Sequence, residues 1–155
     1  MLAKLKENPS IILLVLLVAF FCVVADGFAS VGNFFNLLRQ VAVLGIVSAG
    51  MAVVILTGEI DLSVGSLVSL ACCLVSILIT KYGMPVIGAC LIGVLVCMAA
   101  TMLNCLIIEG TGIPSMLCTL ATMQIFSGLA YIATGGMPVY GLPESMRTLG
   151  QGYVW

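Results

Sequence analysis

Residues 57–66 read TGEIDLSVGS and separate two long hydrophobic runs of the chain. The stretch contains two carboxylates, Glu59 and Asp61, together with two glycines and two serines. Charged side chains are costly in lipid, and irregular backbone occurs at membrane depth only where it is buried in protein or lines a water-filled cavity. The stretch therefore predicts either a turn at the membrane edge or a functional break inside the membrane.

The remainder of the chain has the composition of a polytopic membrane protein. Of its 155 residues, 63% are hydrophobic and 7% are charged, whereas soluble domains carry about 25% charged residues. The net charge of -1 excludes an extended basic surface for nucleic acid. Because the chain has no histidine, histidine metal sites and histidine general bases are also excluded. The expected fold class is an all-α polytopic membrane helix bundle.

The cysteines are interpreted as packing residues. All seven lie inside apolar runs, and no two of them form a C-x-x-C pair. Small, polarisable cysteine side chains behave as apolar residues in protein cores. We therefore expect no metal, no cofactor and no disulfide framework at Cys22, Cys72, Cys73, Cys90, Cys97, Cys105 and Cys118.

Long apolar runs predict about five hydrophobic segments in a single membrane domain, residues 1–155. A transmembrane helix needs about 20 apolar residues, and the third to fifth segments reach this length. The apolar cores of the first two, residues 11–25 and 41–56, are short and need flanking residues to cross. Residues 135–155 are predicted to be an extramembrane loop. The segments cover approximately residues 9–26, 38–57, 62–80, 84–108 and 113–134.

The charges near the N-terminus predict the orientation in the membrane. Lys4 and Lys6 precede the first apolar run and favour a cytoplasmic N-terminus. Counting crossings from there places Arg39, Lys81 and Arg147 on the outer side, against the positive-inside rule. Because the first helix usually dominates the orientation, a cytoplasmic N-terminus remains the prediction.

Two interpretations of the carboxylates in residues 57–66 stay open. Asp61 and Ser63 precede the third apolar run, where a side-chain acceptor caps free N–H groups and a carboxylate faces the positive end of the helix dipole. Capping is compatible with a pathway role, because a helix N-terminus that opens to a cavity can also meet a polar solute. Glu59 is not explained by capping, so it lies either in a surface loop or along a translocation cavity or subunit contact.

Other polar and small residues within the spans are expected to mediate helix packing. Asn and Gln in membrane bundles more often hydrogen-bond between helices than bind a solute, and small residues at four-residue spacing allow close approach. No nucleophile–base pair, phosphate-binding glycine loop or metal cluster occurs, so no enzyme activity is predicted. The polar residues are Thr101, Asn104, Thr119, Thr122 and Gln124, and the small residues are Gly45, Ala49, Gly65, Ser69, Cys73, Ala89 and Gly93.

The stretch TGEIDLSVGS resembles the hallmark segment of the permease family of bacterial ABC importers for ribose, xylose, galactose and related sugars. The autoinducer-2 importer permeases share this segment. The resemblance extends over nearly the whole chain and recurs at several separated places. Further similar segments are NFFNLLRQ at 33–40, GIPS at 112–115, TLATM at 119–123, SGLAYIATGG at 127–136 and GLP at 141–143.

The resemblance implies an inner-membrane subunit of an ATP-driven importer for a monosaccharide or a similar polar solute. Such a permease receives its solute from a periplasmic or extracellular sugar-binding protein and pairs with a second permease subunit in the lipid membrane. A separate cytoplasmic ATPase binds and hydrolyses the nucleotide, so the permease itself has no catalytic residue and no cofactor. The hallmark or pathway residues that the resemblance implies are Gly58, Glu59, Asp61, Ser63, Gly65, Ser66 and Asn104.

The chain departs from the family pattern in two residues and in length. Glycine is common in the family where Glu59 stands, and glycine rather than Cys105 commonly follows the asparagine that corresponds to Asn104. These departures bear on the identity of the solute. Family permeases continue well past this length with more spans and an ATPase-docking segment, so the chain resembles an N-terminal half, as a truncated product, a split gene or a partial record.

Two alternatives from other functional classes remain. Carboxylates in a low dielectric have raised pKa values, so Glu59 and Asp61 are candidates for the proton or cation carriers of a secondary transporter. The chain is alternatively a membrane fragment without transport activity. Dependence of uptake on a proton gradient or on an ATPase distinguishes the two kinds of transporter.

Overall fold

The computed structural model describes residues 9–151, which form six helices joined by short connections. No strand occurs among these residues, and the expected all-α class is confirmed. Lys4 and Lys6, on which the predicted orientation rests, lie outside the described residues, as does the end of the predicted loop, residues 152–155. The helices are α1 (Pro9–Val24), α2 (Val31–Leu56), α3 (Val64–Thr80), α4 (Val86–Thr111), α5 (Ser115–Thr134) and α6 (Glu144–Gln151).

Three of the described helices, α2, α4 and α5, are long and apolar enough to cross a membrane. The second segment is therefore longer than its apolar core predicts, because α2 begins at Val31 and has 26 residues. The third segment starts later than predicted, because α3 begins only at Val64; its 17 residues lie at the lower limit for a span, so its full crossing stays a prediction. At 1.5 Å per residue it extends about 25 Å, whereas the hydrocarbon core is about 30 Å thick.

Contacts divide the chain into two compact units, one ending at Ala52 and the other beginning at Val53. In the first unit, a turn fixed by local hydrogen bonds joins α1 to α2. The Asn33 side chain donates to the Phe28 carbonyl over 2.8 Å, and Ser30 Oγ accepts the Asn33 N–H over 3.2 Å at the start of α2. The assignment of all residues to a single membrane domain stays a prediction.

In the second unit, α3 packs against both α4 and α5, and α4 also packs against α5. Ser63 at the start of α3 bonds to Asn104 near the end of α4, while Val75 near the end of α3 meets Gly93 near the start of α4. These pairs make α3 and α4 antiparallel. The residues that precede α3 bond to Ser115 and Thr119 in the first turns of α5, so that α3 and α5 begin at the same end of the unit.

The packing of α3 on α4 depends on small residues. A Cβ built on Gly93 would lie 2.7 Å from Val75 Cγ2, so a side chain at this position would push the helices apart. Ala89, one turn earlier on α4, is fully buried. The predicted close packing is confirmed for this pair, but a Cβ on Gly45 or Gly65 would meet nothing within 4 Å in the described part of the chain.

Residues 135–155, predicted to be a loop, contain the short helix α6. The described part of this region packs onto the apolar end of the second unit. Leu142 and Met146 contact the buried cluster formed by Val75, Ile79 and Ala89. The position of this region outside the membrane stays a prediction.

Candidate functional site

The polar break, defined here as residues 57–63, is an irregular connection between α2 and α3. Gly58 has a φ of 85°, a left-handed backbone that glycine adopts without steric cost. Its N–H donates to the Ile55 carbonyl over 2.9 Å, and the Glu59 N–H donates to the Val54 carbonyl over 3.4 Å. These bonds end α2 and turn the chain, so Gly58 contributes to the shape of the break.

Asp61 holds the residue from which α3 starts. Its Oδ1 accepts hydrogen bonds from both the N–H and the hydroxyl of Ser63, each over 2.7 Å. Ser63 occupies the N-cap position of α3, but its side chain makes no capping hydrogen bond. The expectation of a side-chain cap is thus wrong for Ser63, whose Oγ instead donates to Asp61 and accepts from the Asn104 amide. Asp61 bonds to the N–H of the N-cap residue and not to the first free N–H groups of the helix.

Ser63 and Asn104 form the buried centre of the site, with exposed fractions of 0% and 3%. Asn104 Nδ2 donates to Ser63 Oγ over 3.2 Å, and Ser66 Oγ donates to the Ser63 carbonyl over 2.7 Å. Within the described residues, Asn104 Oδ1 is buried and has no hydrogen-bond donor. An unpaired buried acceptor is uncommon in folded proteins and costs roughly 1–3 kcal/mol.

Two hydroxyls of α5 complete the hydrogen bonding of the polar break. Ser115 Oγ accepts the Ile60 N–H over 3.2 Å, and Thr119 Oγ1 accepts the Leu62 N–H over 3.1 Å. Irregular backbone at membrane depth needs such partners, because lipid offers none. The break is therefore supported by protein side chains on the α5 side.

A cavity of about 280 Å³ lies between the break, α4 and α5. We call it the break cavity. Three carboxylates line it, those of Glu59, Asp61 and Glu109, and Asn104 also contributes to its wall. No lysine or arginine of the described residues lines it. Most of the cavity surface is apolar, and these carboxylates and the Asn104 amide place hydrogen-bond acceptors at separate points of its wall.

A second cavity, of about 440 Å³, lies further along α3 and α5. Hydroxyl-bearing side chains recur along its wall, and Tyr131 lies beside Gly136 at its edge. Both cavities therefore border α5, whereas α3 lines only the second one. The hydroxyl-bearing residues of the second cavity are Ser69, Ser76, Ser127, Tyr131 and Thr134.

The fold brings most of the predicted site residues together. Glu59, Asp61 and Asn104 line the break cavity. Ser63 accepts hydrogen bonds from Asn104 and from Ser66 next to this wall. By contrast, Gly65 is exposed in the first turn of α3 and lies outside the cavity wall.

The predicted roles of the other polar residues within the spans are met only in part. Asn104 and Thr119 bond to other segments of the chain, as expected. The hydroxyls of Thr101 and Thr122 instead donate to carbonyls of their own helices, and Gln124 is exposed.

Sequence reasoning missed Glu109 and Ser115 as cavity residues. The predicted segments 84–108 and 113–134 leave Glu109 in a connection, but α4 continues to Thr111 and ends at Gly112 with a φ of 71°. The available signal was the four-residue spacing of Thr101, Cys105 and Glu109, which places them on one helix face. Ser115 gave no signal within its own segment, because its partner is 55 residues away in the chain.

The arrangement is suited to binding a small polar solute. Across the described residues, no group of three or more His, Cys, Asp or Glu side chains is placed to hold a metal ion. The break cavity combines carboxylates, an amide and hydroxyls, groups that orient a small polar solute through hydrogen bonds. It lies beside the residues that precede α3 and the first turns of α5, as sites formed by interrupted membrane helices do.

Comparison with known proteins gives one family match. The family described as "Branched-chain amino acid transport system / permease component" matches residues 33–152, which include the polar break and the break cavity. No solved structure gives a significant match.

Several curated proteins are similar over most of the chain. The ribose import permease protein RbsC of Bacillus subtilis (strain 168) is 40% identical over 78% of this chain and 38% of its own length. The xylose transport system permease protein XylH of Haemophilus influenzae is 33% identical over 97% of this chain and 40% of its own length. The autoinducer 2 import system permease protein LsrC of Yersinia pseudotuberculosis is 28% identical over 93% of this chain and 41% of its own length. The chain thus spans about two fifths of the length of these relatives.

Proposed function

This chain belongs to the family of membrane permease components of transport systems, and we propose that it forms part of an ATP-driven importer for a monosaccharide or a similar polar solute. The names of its relatives, which refer to ribose, xylose and autoinducer 2, support a small polar solute. In this proposal the chain lies in a bacterial inner membrane with its N-terminus in the cytoplasm. Its partners are a cytoplasmic ATPase, a periplasmic or extracellular sugar-binding protein and a second permease subunit.

The observation that carries the proposal is the break cavity and its position along α4. The 26 residues of α4 extend about 39 Å, roughly 9 Å more than the hydrocarbon core. Asn104 lies about 10 Å from the C-terminal end of α4, so centring the helix in the core puts Asn104 roughly 6 Å inside it. Because Ser63 bonds to Asn104, the start of α3 lies at the same depth. Polar atoms at that depth often pair between helices, so the atom that points to a binding site or a pathway is Asn104 Oδ1, which is unpaired among the described residues.

The residues of the site have separable roles in this proposal. Asp61 and Glu59 present carboxylates to the break cavity, and Asn104 presents its amide. Ser63 and Ser66 keep the start of α3 in place through buried hydrogen bonds, while Gly58 turns the backbone that precedes it. Transport then requires at least two conformations of the whole permease, in which this cavity has different access to water.

Replacing Asp61 by alanine tests the pathway role. The substitution removes the acceptor for both Ser63 hydrogen bonds and one cavity carboxylate, so we expect uptake of radiolabelled D-ribose to fall at least about tenfold per permease molecule. Asp26→Ala is the matched control, since Asp26 is an exposed acid in the connection between α1 and α2. Uptake is measured in cells that express the full-length protein and is normalised to the amount of permease in the membrane.

Normal uptake by the Asp61→Ala protein would rule out the pathway role. The energy source is tested in the same cells. An ATP-driven importer keeps its activity when a protonophore collapses the proton gradient and loses it when the partner ATPase is inactivated. The reverse result would favour a secondary transporter with Glu59 and Asp61 as carriers.

A further inference from the structure

Three of the hydroxyls around the break cavity, those of the threonines, present lone pairs and not protons. Thr57, Thr101 and Thr119 each donate their single hydroxyl proton to a backbone carbonyl three or four residues earlier, over 2.6, 3.0 and 2.8 Å. A hydroxyl whose proton is committed can only accept further hydrogen bonds. These three side chains therefore add acceptors to a wall that already carries three carboxylates.

The unpaired oxygen of Asn104 has the same character. Ser63 has one hydroxyl proton, which it donates to Asp61, so it can only accept from Asn104. This fixes the orientation of the Asn104 amide, with Nδ2 toward Ser63 and Oδ1 left without a donor among the described residues. Asn104 has an exposed fraction of only 3%, and it lines the break cavity. A donor supplied through this cavity would satisfy the oxygen.

We propose that the break cavity binds a neutral polyhydroxylated solute, whose hydroxyl groups donate hydrogen bonds to Asp61, Glu109 and Asn104 Oδ1. The proposal rests on the proposed transport function and adds the site, the direction of the hydrogen bonds and two contact residues, Glu109 and Ser115. In the described structure the Ser115 hydroxyl accepts one bond and donates none, so its proton can bond to an oxygen of the solute.

Cavity size and ligand geometry favour such a solute over a bare cation. The volume of about 280 Å³ is near the lower end of small-molecule sites, which span roughly 300–1,000 Å³, whereas a metal ion would leave it nearly empty. The described acidic side chains also form no group placed to hold a metal. Hydrogen bonds to carboxylates are stronger than those between neutral groups, so a few donated hydroxyls suffice for selectivity.

Fluorine substitution of the solute tests the direction of the hydrogen bonds. Fluorine has about the size of a hydroxyl group but cannot donate a proton. We measure binding of D-ribose and of its monodeoxyfluoro analogues to the full-length protein in lipid nanodiscs, by ligand-observed NMR and without the sugar-binding protein, whose own specificity would mask the result. At least one analogue should bind about tenfold more weakly or worse, the effect of losing one hydrogen bond to a charged acceptor.

Protein variants then identify the acceptor. Asp61→Asn keeps the size of the side chain but removes its charge, so the loss caused by fluorine at the matching position should shrink from about tenfold to under about threefold. Glu109→Gln gives an independent test, because Glu109 is exposed and its replacement leaves the buried hydrogen bonds intact. Glu144→Gln, at an exposed acid in the first turn of α6, is the control and should leave all affinities unchanged.

The outcomes separate this inference from the transport function. Selective weakening by fluorine, reduced in Asp61→Asn or Glu109→Gln, supports the proposal. Equal binding of all analogues, an unchanged fluorine effect in both variants, or displacement of D-ribose by sodium or methylammonium would overturn it. Absence of D-ribose binding in a protein that imports D-ribose would also overturn the inference and leave the transport function standing. Absence of both binding and uptake counts against the two proposals together.

Discussion

Replacing Gly93 by alanine tests the close packing that holds α3 against α4 and thereby places Asn104 next to Ser63. The added Cβ would lie 2.7 Å from Val75 Cγ2 and 3.9 Å from the Ala71 carbonyl oxygen. The attraction between non-bonded carbon atoms is strongest at about 3.5–4.0 Å, so the added Cβ would lie roughly 1 Å too close to Val75 Cγ2. Val75 is buried and β-branched, with one strongly preferred side-chain rotamer in a helix, so its methyl group cannot turn away without cost.

Two opposing effects set the magnitude for Gly93→Ala. Overpacking of a well-packed interior costs about 1–3 kcal/mol. Alanine is favoured over glycine inside a helix by about 0.5–1 kcal/mol. Because the contact is with a constrained side chain, overpacking is the larger effect, and we expect a net loss of about 1–2 kcal/mol in the free energy of unfolding.

The assay is reversible unfolding of the purified protein in mixed detergent micelles, followed by circular dichroism. Gly128→Ala in α5 is the matched control, since a Cβ there would meet nothing within 4 Å, and it should leave stability unchanged or raise it by up to about 1 kcal/mol. Val75→Ala removes the opposing methyl group, so Gly93→Ala should cost much less in that background. A Gly93→Ala protein as stable as Gly128→Ala, or an equal loss with and without Val75→Ala, would refute the close helix contact.

Two further matched pairs test the edge of the second cavity and the support of the polar break. Gly136→Ala should destabilise the protein by at least about 1 kcal/mol more than Gly135→Ala in thermal denaturation. Both glycines have left-handed backbones, with φ of 72° at Gly136 and 65° at Gly135. Only at Gly136 would a Cβ lie 2.7 Å from the Tyr131 ring. Equal losses of stability in the two variants would contradict this contact. Thr119→Val should lower the free energy of unfolding by about 1–3 kcal/mol, because it leaves the Leu62 N–H of the break unpaired. Thr101→Val, at a hydroxyl that bonds only to its own helix, should change stability by less than about 0.5 kcal/mol. Similar effects of the two substitutions would argue against support of the break by Thr119.

Sequence patterns predicted the helical class and most of the helix positions. The apolar runs are long enough that only helices can satisfy their backbone in lipid, and glycine or charged residues mark most ends. The errors fall at ends that depend on other segments. The start of α3 was predicted near residue 62, but Asp61 and Ser63 hydrogen-bond to each other, and the two residues on either side of Asp61 bond to α5, so the chain stays irregular until Val64.

The candidate site was predictable in its centre and not in its walls. Asp61, Ser63 and Asn104 stand out in the sequence because polar residues are rare in this chain and costly in lipid. Glu109 and Ser115 do not, because they lie next to glycine and proline and read as parts of a connection. Only the antiparallel packing of α4 and the parallel packing of α5 bring them to the same cavity.

The amino-acid sequence by itself determined that this protein is a membrane helix bundle with a polar interruption between its second and third hydrophobic segments. Composition and hydrophobic run length suffice for this conclusion, since both act locally along the chain. The tertiary structure decided how the interruption is arranged. It placed three carboxylates around one cavity and left one amide oxygen of Asn104 buried with no donor among the described residues. These relations join residues more than 40 positions apart, which meet only when α3, α4 and α5 pack.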